Sequence, residues 1–162
     1  MKLRQLEMKD APLMLEWMHD PDIVMDLKAN FAEKTIEDCK NFILGAQNMD
    51  ESIHLAIADD NDEYLGTVSL KHIHDGTAEF GITIRKKAMG KGYSELAMKD
   101  ILKMGFEKKG LQTIFWCVDP NNERALRFYD KNGFTRGVVP TKTYGYSQEE
   151  CERYVWYQIK NY

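Results

Sequence analysis

Long apolar runs are missing from this sequence. No stretch approaches the roughly 20 consecutive apolar residues that cross a bilayer, and the opening MKLRQLEMKDAPLML lacks the apolar core of a secretory leader. Neither a membrane span nor an export signal is expected. Cysteine is scarce: Cys39, Cys117 and Cys151 are odd in number and widely spaced, which argues against a disulfide framework or a zinc knuckle. A reducing, cytoplasmic setting is the simplest expectation. Proline is limited to four residues, and no Pro/Gly/Ser-rich linker, internal repeat or low-complexity block divides the chain. Residues 1–162 are therefore expected to form one domain. An excess of positive charge is lacking too. Lys and Arg total 22 against 26 Asp and Glu, a formal net charge of −4, which gives no electrostatic reason to expect nucleic acid or an anionic membrane as partner.

What is present is an ordinary globular composition, 43% hydrophobic and 30% charged, with enough apolar residues for a sizeable core. LRQLEM predicts a first strand. Asp10 is then expected to cap APLMLEWMHD, with Pro12 in the first turn where its missing N–H costs little. In TIEDCKNFILGAQN, Thr35 stands at a cap position, and Ile36, Cys39, Phe42 and Ile43 recur at helical spacing. The period then changes. SIHLAIAD and EYLGTVSLKHI alternate as strands around the polar turn DDNDE, and TAEFGITIR is the next strand. A glycine-containing loop leads into a helix whose buried face is expected to include Leu96, Ile101, Leu102, Met104 and Phe106, ended by Gly110. LQTIFWCV reads as a strand buried on both faces. NNERALRFYDKNGF is a helix running into a turn, and FTRGVVPT and RYVWYQIK are predicted as two closing strands. The strand–helix–strand unit from TAEFGITIR to LQTIFWCV requires a parallel pair.

Two blocks carry the chemistry. EFGITIRKKAMGKGYSELA places glycines between a strand and a helix, where backbone N–H groups and the helix dipole together favour an anion, most simply a phosphate. DPNNERALRFYDKNGF supplies N-x-x-A-x-x-x-Y-x-x-x-G-F. Together, and in this order, they resemble the GNAT superfamily of N-acetyltransferases, in particular the branch that acetylates ribosomal-protein N-termini, polyamines and amino sugars. LEWMHDPDI and YLGTVSL resemble it as well, so the likeness extends over most of the chain. It implies a mixed α/β fold: a mostly antiparallel sheet of six to seven strands, flanked by about four helices, with one splayed parallel strand pair.

The family's pyrophosphate loop, Q/R-x-x-G-x-G/A, falls on Met89, Gly90, Lys91, Gly92, Tyr93 and Ser94. Met89 replaces the usual Gln or Arg, and Ser94 the final Gly or Ala. Backbone amides survive such changes, and Lys91 adds charge. The resemblance implies acetyl-CoA as cosubstrate, its pantetheine arm along the strand at Ile82, Thr83 and Ile84, beside Asn122 and a small residue at Ala125. It implies Tyr129 as the general acid that protonates the departing thiolate. Glu79 shares a strand face with Gly81 and Thr83, and either it or a water chain takes the proton of the acceptor amine. Asp119 is a second carboxylate near the strand end. Trp17 and Phe31 lie where the family builds acceptor specificity. His72 and His74 are expected on one strand face at the spacing of some metal pairs, but no third ligand accompanies them and no metal is expected. The acceptor implied is a small-molecule amine. A protein N-terminus and a non-catalytic acyl-CoA sensor stay open, and the closing strands offer an edge for a homodimer.

Overall fold

The computed structural model describes residues 1–161. Seven strands form one sheet in the order β1-β2-β3-β4-β5-β7-β6. These are β1 (Lys2–Gln5), β2 (Ile53–Ala58), β3 (Tyr64–His74), β4 (Thr77–Ile84), β5 (Thr113–Val118), β6 (Thr135–Arg136) and β7 (Val155–Lys160). All neighbouring strands run antiparallel except β4 and β5. The six α-helices are α1 (Ala11–Met18), α2 (Pro21–Val24), α3 (Ile36–Gly45), α4 (Tyr93–Lys108), α5 (Glu123–Lys131) and α6 (Gln148–Arg153). The mixed, mostly antiparallel sheet with one parallel pair is the expected architecture. The two helices beyond the expected four are the short α2 and α6. No helix among the described residues is long and apolar enough to cross a membrane.

The strand period of two sorts side chains into two cores. Val68, Leu70, Ala78, Phe80, Ile114 and Trp116 pack with Ala97, Met98 and Ile101 of α4. Ala56 points the other way, as does Tyr64, turned over by the register shift between Ile57 and Ala58, into Met14, Trp17 and Met18 of α1 and Cys39 and Ile43 of α3. Thr35 caps α3 as expected, accepting from the Asp38 amide. Gly110 follows α4 in the left-handed region, at φ 64°.

Four expectations fail locally. Asp10 does not cap α1: its carboxylate turns back to accept from the Glu7 amide at 2.8 Å and from both terminal nitrogens of Arg4 at 2.8 and 2.9 Å. It is 1% exposed, and removing one partner of such a buried pair typically costs about 3–5 kcal/mol. Leu96 stands exposed because the inner stripe of α4 runs through Ala97, Met98, Ile101, Leu102 and Gly105. FTRGVVPT keeps only Thr135 and Arg136 as strand, and Val138 and Val139 are exposed. His72 adopts φ 54°, so β3 is irregular between Lys71 and His74 and the alternation that would align His72 with His74 is broken.

Candidate active site

The parallel pair is joined over only part of its length. Thr77, Ala78 and Glu79 pair with Thr113, Ile114 and Phe115, and the pairing stops there. From Phe80 onward β4 keeps only its other neighbour, with Gly81, Ile82, Thr83 and Ile84 opposite Ser69, Val68, Thr67 and Gly66 of β3. β5 likewise continues to Val118 against β7 alone. The two strands thus form a fork. One edge of β4 at Ile82, Thr83 and Ile84 carries backbone groups with no strand partner, the geometry that accepts an extended ligand as an added strand.

The glycine loop closes one end of this fork. Gly90 and Gly92 have φ of 75° and 84°, conformations that side chains rarely adopt. A Cβ at either would meet nothing within 4 Å, so the loop faces open space. Gly92 is the N-terminal flanking residue of α4, and no side chain caps that helix. Its first amides, from Tyr93 and Ser94 onward, remain available to an anion. Lys91 is exposed beside them. The guanidinium of Arg124, from α5, lies against the Met89 sulfur. It brings a cation to the loop position where Met89 itself supplies none.

Tyr129 sits beneath the fork, 7% exposed, among Phe80, Trp116, Phe134 and Tyr157. Burial pushes its phenol well above the ordinary tyrosine range, so the hydroxyl stays protonated at any working pH. The neighbouring Trp116 indole N–H is buried without an acceptor among the described residues. Ala125 packs partly buried at the same core. The Asn122 side chain caps α5 by accepting from the Ala125 amide at 3.2 Å, which fixes its carbonyl and leaves its amino group as the donor. Asp119 follows β5 and pairs with Arg153 at 3.6 Å.

Glu79 lies on the opposite face of the sheet from Tyr129 and is 3% exposed. The Tyr146 hydroxyl donates to its carboxylate at 2.9 Å, and Lys71 Nζ stands 4.0 Å from its other oxygen. Tyr146 is held by edge contacts with Tyr154 and Trp156. The Cys117 thiol, on the open length of β5, adjoins Tyr146 and Glu79, and burial pushes it up to about 12. A thiol so protonated is no nucleophile. The chain signalled neither Tyr146 nor Lys71 in advance: Tyr146 is 67 residues from Glu79 in an irregular segment, and only the β3–β4 register puts Lys71 opposite it.

Across the same face, His54 bonds Ser69 Oγ at 2.6 Å, and burial, with Lys71 adding to it, drives the imidazole down to about 4. Trp17 is 5% exposed and donates to Tyr64 at 2.9 Å, so it belongs chiefly to the second core, with Phe31 against its ring at 5.0 Å. His72 stacks on Tyr144 at 4.2 Å and His74 pairs with Asp75, so the two histidines serve different neighbours.

An open fork beside a glycine loop is what an acyl-coenzyme site requires, and the model of the acetyltransferase (GNAT) domain family matches residues 1–135. The chain belongs to this family. This acetyltransferase is 30% identical over 142 residues to the spermidine N(1)-acetyltransferase of Escherichia coli K12, covering 83% of this chain and 72% of that one. It is 25% identical over 131 residues to acetyltransferase PseH of Campylobacter jejuni, covering 81% and 80%. Among solved structures it resembles the spermidine N-acetyltransferase from Vibrio cholerae in complex with CoA and spermine. The TM-score is 0.79, over 98% of this chain and 94% of that one, at 19% identity, a likeness of fold.

Proposed function

We propose that this acetyltransferase moves an acetyl group from acetyl-CoA directly to a primary amine of a small molecule, of the polyamine or amino-sugar kind. The observation that carries this is the fork between β4 and β5, with the glycine loop at one end and Tyr129 beneath it. The residues present fit the coenzyme. Gly90 and Gly92 leave the loop open, the α4 amides with Lys91 and Arg124 suit a pyrophosphate, and the unpaired edge at Ile82, Thr83 and Ile84 suits an amide-bearing arm. The coenzyme supplies an acetyl group activated as a thioester.

The chain's own groups do the rest. A primary ammonium is a poor nucleophile until it loses a proton, and Glu79, directly or through water, takes it. Backbone amides along the open edge of β4 stabilise the oxygen on which charge develops. Tyr129, kept protonated by burial, donates to the leaving sulfur. Ser94 is small enough for the loop and Met89 has Arg124 beside it, so the two departures from the family's loop do not disable the site.

Thermal unfolding with and without acetyl-CoA is the test. At a hundredfold over its dissociation constant the ligand adds about 2.7 kcal/mol, a shift of several degrees. Absence of a shift at millimolar ligand would overturn the coenzyme site. Coenzyme A release with a ribosomal peptide, and with no small amine, would move the acceptor to protein N-termini.

A further inference from the structure

The acceptor face carries more positive charge than an ammonium substrate invites. Glu79 is the carboxylate at its centre, and Lys71 Nζ stands 4.0 Å away. The Lys71 side chain lies over the bare backbone of Gly81, where an added Cβ would be 3.5 Å from its Cε and 3.6 Å from its Nζ. Around this centre the aromatic wall holds two more cations. Lys28 stands 5.4 Å from the ring centre of Tyr146, and Lys142 lies 5.2 Å from that of Tyr144, which itself stacks on His72. Glu150 is consumed by Lys28, with both oxygens at 2.8 and 2.9 Å. Asp119 is likewise matched by Arg153. The remaining polar groups are neutral: Ser69 with His54, the latter uncharged near pH 7, His72, the Cys117 thiol and the Tyr146 hydroxyl. Among the described residues tied to this face by contact, Glu79 and Asp75 are the carboxylates left, Glu79 facing Lys71 and Asp75, beside His74, at the end of the face where Lys142 lies.

At the centre of the face that balance accommodates one ammonium group, at Glu79, opposite Lys71. A polyamine brings two or three further charges, each needing its own carboxylate, and a charge placed next to the one at Glu79 would meet Lys71. A body with hydroxyl groups or a negative charge finds donors in its place. We propose that Lys71 makes this acceptor face select amines carried on a hydroxylated, anionic body, such as a phosphorylated amino sugar, over polyamines. This rests on the acetyl-transfer function above and sets this chain apart from its spermidine-acetylating relatives.

The test compares kcat/KM for glucosamine 6-phosphate, glucosamine and spermidine, with acetyl-CoA saturating. The expected order is as written, with about tenfold or more between first and last. Lys71→Gln should narrow the ratio of first to last about tenfold, Lys71→Arg should preserve it, and the acetyl-CoA unfolding shift should stay the same in both. Raising the salt concentration with the unmodified protein should narrow the ratio too, which keeps the test decisive if Lys71→Gln fails to fold. Spermidine equal or first, or a ratio unmoved by both Lys71→Gln and salt, overturns the selectivity and leaves the transferase function standing. No coenzyme A release from any of the three amines overturns both.

Discussion

The two halves of β4 have opposite fates. From Thr77 to Glu79 the strand is closed on both edges, by β3 and by β5, as any core strand would be. From Phe80 to Ile84 it is closed on one edge only. The amino-acid content barely distinguishes them, since both are apolar and β-branched in part. The difference arises outside the strand, in the aromatic wedge of Trp116, Tyr129, Phe134 and Tyr157 that fills the space under the fork. An edge left without a strand partner therefore has to be held open by packing on its flank. The closed half supplies rigidity, and the open half supplies the free edge on which the proposed coenzyme site rests.

The sharpest way to break this contrast is at the residue common to both roles. Tyr129→Phe keeps the ring in the wedge and removes the hydroxyl alone. Its kcat is expected to fall about a hundredfold or more, the usual scale of a lost general acid, with acetyl-CoA affinity and melting temperature nearly unchanged. Steady-state kinetics beside a melting curve reads both. Full activity would remove Tyr129 from the chemistry and leave it as a packing residue.

A second way is to attack the one edge the open half still has. Gly66 sits opposite Ile84, and a Cβ there would strike the Thr83 carbonyl oxygen and come within 2.8 Å of the Ile84 Cα. Both are backbone and cannot step aside. Gly66→Ala is expected to cost about 3 kcal/mol, measured by denaturant unfolding, with the loss of acetyl-CoA binding following from the displaced upper strand. A cost below about 1 kcal/mol would mean that the open half moves freely, contrary to the fork described.

Most of this architecture was legible in the chain. The glycine loop, the cap at Thr35, the parallel pair and the small–aromatic spacing of Ala125 and Tyr129 are local signals, each written in consecutive residues with a period or a backbone requirement. The rest depended on contacts distant in sequence. Nothing near Asp10 announces that Arg4 will draw its carboxylate away from the helix it was expected to cap. Nothing in TKTYGYSQEE announces that Tyr146 will reach Glu79. His72 failed for a different reason: its left-handed backbone interrupts the alternation on which any face assignment rests.

The face of the sheet that carries Glu79 also has a pH signature, at His54. His54 is held neutral by burial, near 4 in the folded protein against about 6.5 when unfolded. Between those values the unfolded chain binds the extra proton, so stability is full above about pH 6.5 and is lost as pH falls toward 4. The loss from this group alone approaches roughly 2–3 kcal/mol. Melting curves between pH 7.5 and 4.5 should show it, and His54→Gln should flatten that part of the slope. An unchanged slope in the variant would assign the acid sensitivity elsewhere.

The smallest expected effect lies one residue into the open half and mirrors the Gly66 prediction. Gly81 pairs with Ser69 and is free of positive φ, and the nearest atoms to an added Cβ belong to the Lys71 side chain, at 3.5 Å and beyond. That is ordinary contact with a flexible chain end. Gly81→Ala is therefore expected to change stability by less than about 1 kcal/mol, and the lost freedom of the unfolded glycine acts in the stabilising direction. Two glycines on neighbouring strands of one sheet thus differ by what stands above them: backbone over Gly66, a movable ammonium over Gly81. If Gly81→Ala proved as costly as Gly66→Ala, Lys71 would have to be fixed in place by more than its contact with Glu79.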